Sequence, residues 1–257
     1  MKKTIFVANW KMNLTVSEAV NLVVRLKEGL GEIDSGKVEV VLCPSFTSLF
    51  SLHDLLQKDN PLNFRLGAQD VWREEKGAFT GEISPKMLEE VGCQYVIIGH
   101  SERRANLGET DEMVNQKVKA VLKHGLIPII CVGETFEERQ KGLRDVIVSR
   151  QTGKALHGVE LFGNKKIIIA YEPVWVIGTG QAVLPEDAGH SHRIIREALL
   201  EIFPVDVVEK HFKIIYGGSV DSKNIEDFIG QEMIDGVLVG GASLKVEEFV
   251  KMIKEIV

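Results

Sequence analysis

The sequence predicts an α/β fold: a single (β/α)8 barrel of eight parallel strands ringed by helices, with residues 1–257 as one domain. Two observations predict it. Eight short β-branched runs alternate with longer helical patterns, recurring at a mean spacing of about 33 residues, enough for strand, loop and helix. Several runs are apolar at successive positions, such as Ile127, Pro128, Ile129, Ile130 and Cys131, as expected of parallel strands buried on both faces. The same pattern also allows a doubly wound open sheet.

In order, the strand runs are residues 4–8, 38–43, 64–68, 95–98, 127–132, 167–171, 212–216 and 236–239. Helices fall between them with recognisable starts. Thr15 and Glu18 form a capping box ahead of residues 19–30. Ser84-Pro85 puts a cap before a proline at the first helical position, where its missing N–H costs nothing, and Pro185 repeats the arrangement. Residues 244–256 form the closing helix, and no stretch reads as an interdomain linker or low-complexity tract.

The totals narrow the classes of function. A net charge of -6 argues against a nucleic-acid partner, and any anionic ligand must be met by local positive potential. No run approaches membrane-spanning length, so no membrane partner is expected. The apolar stretch behind the two N-terminal lysines stops at Asn9, too short for a signal segment, and a cytoplasmic location follows as the expectation. Cys43, Cys93 and Cys131 contain no CxxC pair and read as reduced thiols, not a disulfide frame or a metal site.

In a barrel the reactive groups belong at the C-terminal ends of the strands. The first strand runs into Asn9-Trp10-Lys11, the fourth into Gly99-His100-Ser101-Glu102-Arg103-Arg104 and the sixth into Glu172-Pro173. The seventh ends in Gly217-Gly218-Ser219 and the eighth in Gly240-Gly241. A lysine, a histidine and a carboxylate thus converge on one mouth and face two diglycine turns. Moving a proton between adjacent carbons needs a base beside the C–H bond and an electrophile for the developing oxyanion. Glu172 and His100 are suited to those tasks. The diglycines let backbone N–H groups approach an anion without Cβ obstruction.

ANWKMN, IIGHSERR, GAFTGEIS, YEPVW followed by IGTG, YGGSV and LVGGASL, in this order from Asn9 to Leu244, resemble the triosephosphate isomerase family. The resemblance implies a TIM barrel that interconverts dihydroxyacetone phosphate and D-glyceraldehyde 3-phosphate through an enediolate, with no cofactor and no metal. It implies Glu172 as base, His100 as a neutral electrophile, Lys11 as electrostatic stabiliser and Asn9 as an amide donor. Ser219, Gly240, Gly241 and Gly178 would hold the substrate phosphate. Ser101, Glu102 and Cys131 would support the reacting groups. Taken by themselves, Glu102 with Arg103 or Arg104 read as an ion-pair network or as a charged surface turn. Pro173, Val174, Trp175, Val176, Ile177, Gly178, Thr179 and Gly180 would form a lid that excludes water. Thr80, in the long loop 69–82, would reach the Asn9 and Lys11 region of a second copy in a homodimer.

Two other functions share the pattern. A Schiff-base aldolase would use Lys11 as nucleophile, although such barrels carry that lysine on the sixth strand, where this chain has Glu172. A non-catalytic phosphometabolite-binding barrel would not need Asn9, Lys11, His100 and Glu172 together. His190 and His192 are two residues apart, which points them away from each other on a helix and argues against a metal. Departures from the family pattern gather around the lid's downstream end, at Val176, Gln181, Val183, Leu184 and Gly189, with Asp70, Asn106 and Leu107 elsewhere. Leu184 removes a threonine cap before Pro185.

Overall fold

A computed structural model describes residues 3–31, 33–34, 36–161, 163–177 and 183–257. Its strands are β1 (Thr4–Asn9), β2 (Val38–Cys43), β3 (Arg65–Ala68), β4 (Cys93–Ile98), β5 (Ile127–Val132), β6 (Ile167–Tyr171), β7 (Phe212–Tyr216) and β8 (Gly236–Val239). They pair in chain order, all parallel, and β8 returns to β1, closing the barrel and excluding the open sheet. Three strand boundaries differ from the sequence reading: β1 reaches Asn9, β3 starts at Arg65 and β4 starts at Cys93. Gln94 hides the start of β4, being a polar, exposed residue inside an otherwise buried run.

Among the described residues the helices are α1 (Val16–Leu30), α2 (Phe46–Lys58), α3 (Pro85–Glu90), α4 (Ser101–Leu107), α5 (Asp111–Lys123) and α6 (Phe136–Gln140). They continue as α7 (Arg144–Leu156), α8 (Pro185–Leu200), α9 (Val205–His211), α10 (Ile225–Ile229) and α11 (Val246–Lys254). The closing run divides into a 3-10 turn, Gly241–Leu244, and α11. None of the described helices is long and apolar enough to cross a membrane.

Side chains alternate across each strand, and this sorts the core into two layers. Ile5, Val7, Tyr95, Ile97, Ile129, Ile168, Ala170, Ile215 and Leu238 fill the barrel interior. Phe6, Ala8, Val96, Ile98, Ile130, Ile169 and Tyr171 face the helices in a second, larger cluster. The barrel interior is therefore packed and is not a pore.

Helix starts follow the local chemistry. Thr15 and Glu18 close the expected capping box on α1, and Ser84 Oγ accepts the Met87 N–H ahead of Pro85. At α8 the cap is Leu184, which is 67% exposed and makes no side-chain cap bond. Leu184→Thr is expected to add about 1 kcal/mol to stability. Calorimetry should then show an unfolding midpoint raised by about 2–4 °C, and an unchanged midpoint would mean that the missing cap costs nothing.

Candidate functional site

Strand alternation determines what reaches the mouth. Asn9 continues the inward series of Ile5 and Val7, and Glu172 continues that of Ile168 and Ala170. Lys11 takes a left-handed φ of 53°, which costs a non-glycine residue on the order of 1 kcal/mol. Hydrogen bonds hold it there: its N–H donates to Asn9 Oδ1 (3.0 Å), and its carbonyl accepts from Gln69 Nε2 (2.8 Å). Simple alternation beyond Val96 and Ile98 would turn His100 toward the helices. Gly99, at φ +74°, breaks the alternation, and a Cβ there would lie 2.8 Å from Val114 Cγ2.

Glu172 is 2% exposed. Its Oε2 accepts the Ser101 N–H at 2.9 Å, at the start of α4. Its Oε1 is buried without a hydrogen bond of good geometry, although His100 Nε2 is only 3.0 Å away. His100 Nδ1 accepts the Glu102 N–H at 3.2 Å, so in this arrangement the ring proton sits on Nε2 and the imidazole is neutral. Lys11 Nζ pairs with Glu102 Oε1 at 2.6 Å. Cys131 lies beneath, fully enclosed. Burial first, and then the charge of Glu172, push its thiol well up, so it stays protonated and supports the carboxylate without becoming a nucleophile.

Asn9, Lys11, His100 and Glu172 line one cavity of about 370 Å³ with Ser219 and the glycines at 217, 218, 240 and 241. Two of these glycines are dictated by close approach. A Cβ on Gly217 would lie 3.1 Å from Glu172 Cγ, and one on Gly218 would meet the Tyr216 hydroxyl at 2.1 Å. Among the described residues no group of three or more His, Cys, Asp or Glu side chains is arranged to hold a metal.

The lid reading spans two kinds of residue. Pro173, Val174, Trp175, Val176 and Ile177 are described, with a 3-10 turn over Val174–Val176. Gly178, Thr179, Gly180 and Gln181 lie outside the described residues. Buried Glu134 anchors the described part: it accepts from Tyr171 Oη (3.1 Å) and Trp175 Nε1 (3.1 Å), and its carbonyl accepts the Val174 N–H (3.2 Å). Arg139 lies 4.5 Å over the Trp175 ring. On the other side Ser219 Oγ donates to the Val176 carbonyl at 2.9 Å. Ser219 is thereby tied to the Val174–Val176 turn and not free to point at a ligand.

One expected contact is corrected. Glu102 pairs with Lys11, and neither Arg103 nor Arg104 is its partner, because successive residues on a helix point about 100° apart. Arg104 reaches Asp111 (2.7 Å) and the Gly99 carbonyl (2.8 Å). Arg103 joins a buried network, Nη2 to Asp70 at 2.8 Å and Nε to Glu109 at 3.3 Å, in which Lys117 also bonds both carboxylates. Burial raises the Asp70 carboxyl, and Lys117 opposes that shift.

Other contributors escaped the sequence reading. Gln69 clamps β1 to β2 through the Lys11 and Cys43 carbonyls, at 2.8 and 2.9 Å. Gly133 lies so close to β6 that a Cβ would meet the Glu172 carbonyl oxygen at 1.7 Å. The glycine in Cys131-Val132-Gly133 was the available signal, but only the neighbouring backbone gives it meaning. Lys245 also lines the cavity. His190 and His192 diverge, to Asp145 and to the Met233 carbonyl.

Comparison with known proteins gives the family. A family model described as triosephosphate isomerase matches residues 4–256. The triosephosphate isomerase of Carboxydothermus hydrogenoformans is 47% identical over 254 residues, covering 99% of both chains. That of Dictyoglomus turgidum is 47% identical over 251 residues (97% of this chain, 98% of the relative), and that of a Roseiflexus species 49% over 253 (98% and 97%). With its closed barrel, its converging carboxylate, imidazole and ammonium, and these full-length matches, the chain belongs to the triosephosphate isomerase family.

Proposed function

We propose that Glu172, His100, Lys11 and Asn9 carry the isomerisation of dihydroxyacetone phosphate and D-glyceraldehyde 3-phosphate in this chain. Family membership makes it an aldose–ketose isomerase of triose phosphates. The observation that carries the residue roles is the buried Glu172 Oε1, without a well-formed hydrogen bond, beside the Nε2–H of a neutral His100 in the cavity that Lys11 also lines.

Glu172 Oε1 opens on this cavity without a well-formed hydrogen bond of its own, which leaves a lone pair to meet a substrate C–H. Glu172 removes one from the substrate carbon next to the carbonyl, leaving an enediolate. His100 donates from Nε2 to one oxygen and takes a proton from the other. Lys11 and the Asn9 amide stabilise the charge as it develops. Glu172 returns its proton to the adjacent carbon, so atoms and charge balance without a cofactor. The phosphate rests on the backbone of the two diglycine turns, with Ser219 and Gly178 contributing once the lid has moved. Reaching the substrate requires Glu172 Oε2 to leave the Ser101 N–H, and the incoming anion competes with Glu102 for Lys11. No feature of the cavity favours the aldolase or the non-catalytic reading. A coupled isomerase assay on purified protein, with exchange of substrate hydrogen into solvent, tests the proposal. Binding of a triose phosphate without either activity would overturn it.

The reading extends to one 1–257 domain, a cytoplasmic location and a homodimer. Support for the dimer comes from apolar surface: Met12 is 96% exposed, Phe50 70% and Met87 50%, with Phe79 packed on Trp72 beside Thr80. Thr80→Arg is expected to weaken dimerisation by about 30-fold or more and to lower turnover with it. Sedimentation showing unchanged mass, with unchanged activity, would sink the dimer.

A further inference from the structure

The pole opposite the mouth holds a second cavity, of about 170 Å³. Its floor is the lowest layer of interior side chains, Ile5, Ile127 and Ile168, with Tyr95. Its rim is basic: Lys3, Lys166, Lys210 and Lys213 all line it, against a single carboxylate, Glu39. Glu39 is already engaged, accepting from the Tyr95 hydroxyl and lying 4.0 Å from Lys3 Nζ. Lys213 is paired with Asp235 at 3.2 Å. Lys166 and Lys210 have no ion pair among the described residues. His211, 7% exposed, lines the same cavity. Its Nδ1 is occupied by the Lys165 carbonyl at 2.6 Å, while Nε2 has no hydrogen-bond partner among the described residues.

Lysines at this pole have an ordinary explanation, since helices of the barrel end here and cations suit their carbonyl ends. That accounts for Lys210, in the last turn of α9. It does not account for Lys3, just ahead of β1, while Lys166, just ahead of β6, follows the Lys165 carbonyl that meets His211 at the end of α9. In a chain of net charge -6 this concentration of positive charge around an enclosed space runs against the overall balance.

We propose that this cavity is a second anion site, taking a compact phosphate-class dianion between Lys166 and Lys210, with His211 and Lys3 at its sides. The volume admits one phosphate group, free or as the end of a longer ester. Both unpaired ammonium groups are on exposed residues, so binding weakens as salt rises.

Isoleucine methyl NMR on the intact protein provides the test, because Ile5, Ile127 and Ile168 report this pole and Ile177 reports the mouth. Titration with inorganic phosphate is expected to move both sets saturably. In Lys166→Glu/Lys210→Glu, affinity read at the three pole methyls should fall by about tenfold or more, while the Ile177 response, kcat and KM stay at parent values. Glycerol 3-phosphate acting at lower concentration than inorganic phosphate would assign the site to an esterified phosphate, and the reverse to the free ion. Pole methyls that ignore phosphate, or that respond equally in the double variant, would overturn the proposal whatever the mouth does.

Discussion

Glu172→Gln is expected to lower kcat by about 10³-fold or more, equivalent to roughly 4 kcal/mol of barrier, with triose phosphate binding largely kept. Loss of the base is the main cause, and the site adds a second. Ser101 N–H at one carboxylate oxygen and His100 Nε2–H near the other are both donors. A carboxylate suits both, whereas an amide must set its NH2 against one of them, costing about 1–3 kcal/mol. Some stability should therefore be lost as well as turnover. Glu172→Asp keeps the charge and withdraws it by one methylene, so it should retain more activity than the glutamine variant. Steady-state kinetics, equilibrium binding of a triose phosphate analogue and a melting curve separate these contributions. Near-normal turnover of the glutamine variant would remove Glu172 as the base.

Lys117→Met should unfold more easily by about 3–5 kcal/mol, on the order of 10 °C in melting temperature. Lys117 is 1% exposed, and its ammonium bonds Asp70 and Glu109, themselves 5% and 4% exposed. With the lysine gone, two buried carboxylates share Arg103 alone. The effect carries a pH signature. Burial already raises the Asp70 carboxyl, and Lys117 is the strongest opposing influence, so its removal raises that carboxyl further. A carboxyl whose folded-state value lies above its unfolded value of about 3.9 incurs no penalty below that pH. The penalty grows as pH rises toward the folded value and is complete above it. The stability gap between variant and parent should thus be wider at pH 8 than at pH 5. Adding Glu109→Gln should recover part of the loss, since Asp70 and Arg103 then remain as a matched pair. A gap that is flat with pH, or no gap, would mean that the cluster holds no net charge strain.

The barrel was legible in the sequence because its strands are written as uninterrupted apolar runs at a regular spacing. Their ends were less so: Gln94 concealed two residues of β4, being polar where the strand still faces solvent. Asn9, Lys11, His100 and Glu172 could be named because each stands at a strand end or within two residues of one. The partnership of Lys11 with Glu102, and of Arg103 with Asp70, could not, because those contacts join segments 91 and 33 positions apart whose approach is set by the folded barrel. The cap missing at Leu184 was readable, since caps are local. Gly133 was not, since its reason lies on a neighbouring strand.

The two-layer sorting of side chains has a consequence for how such a chain can change over time. Whether Glu172 meets substrate or the surrounding helices depends on its lying an even number of positions along the chain from Ile168. One codon gained or lost inside Ile167–Tyr171 would exchange Ala170 and Tyr171 between layers and drive a phenol into space sized for a methyl group. Length variation is therefore confined to the connections, where an added residue alters reach without reversing which way a strand faces.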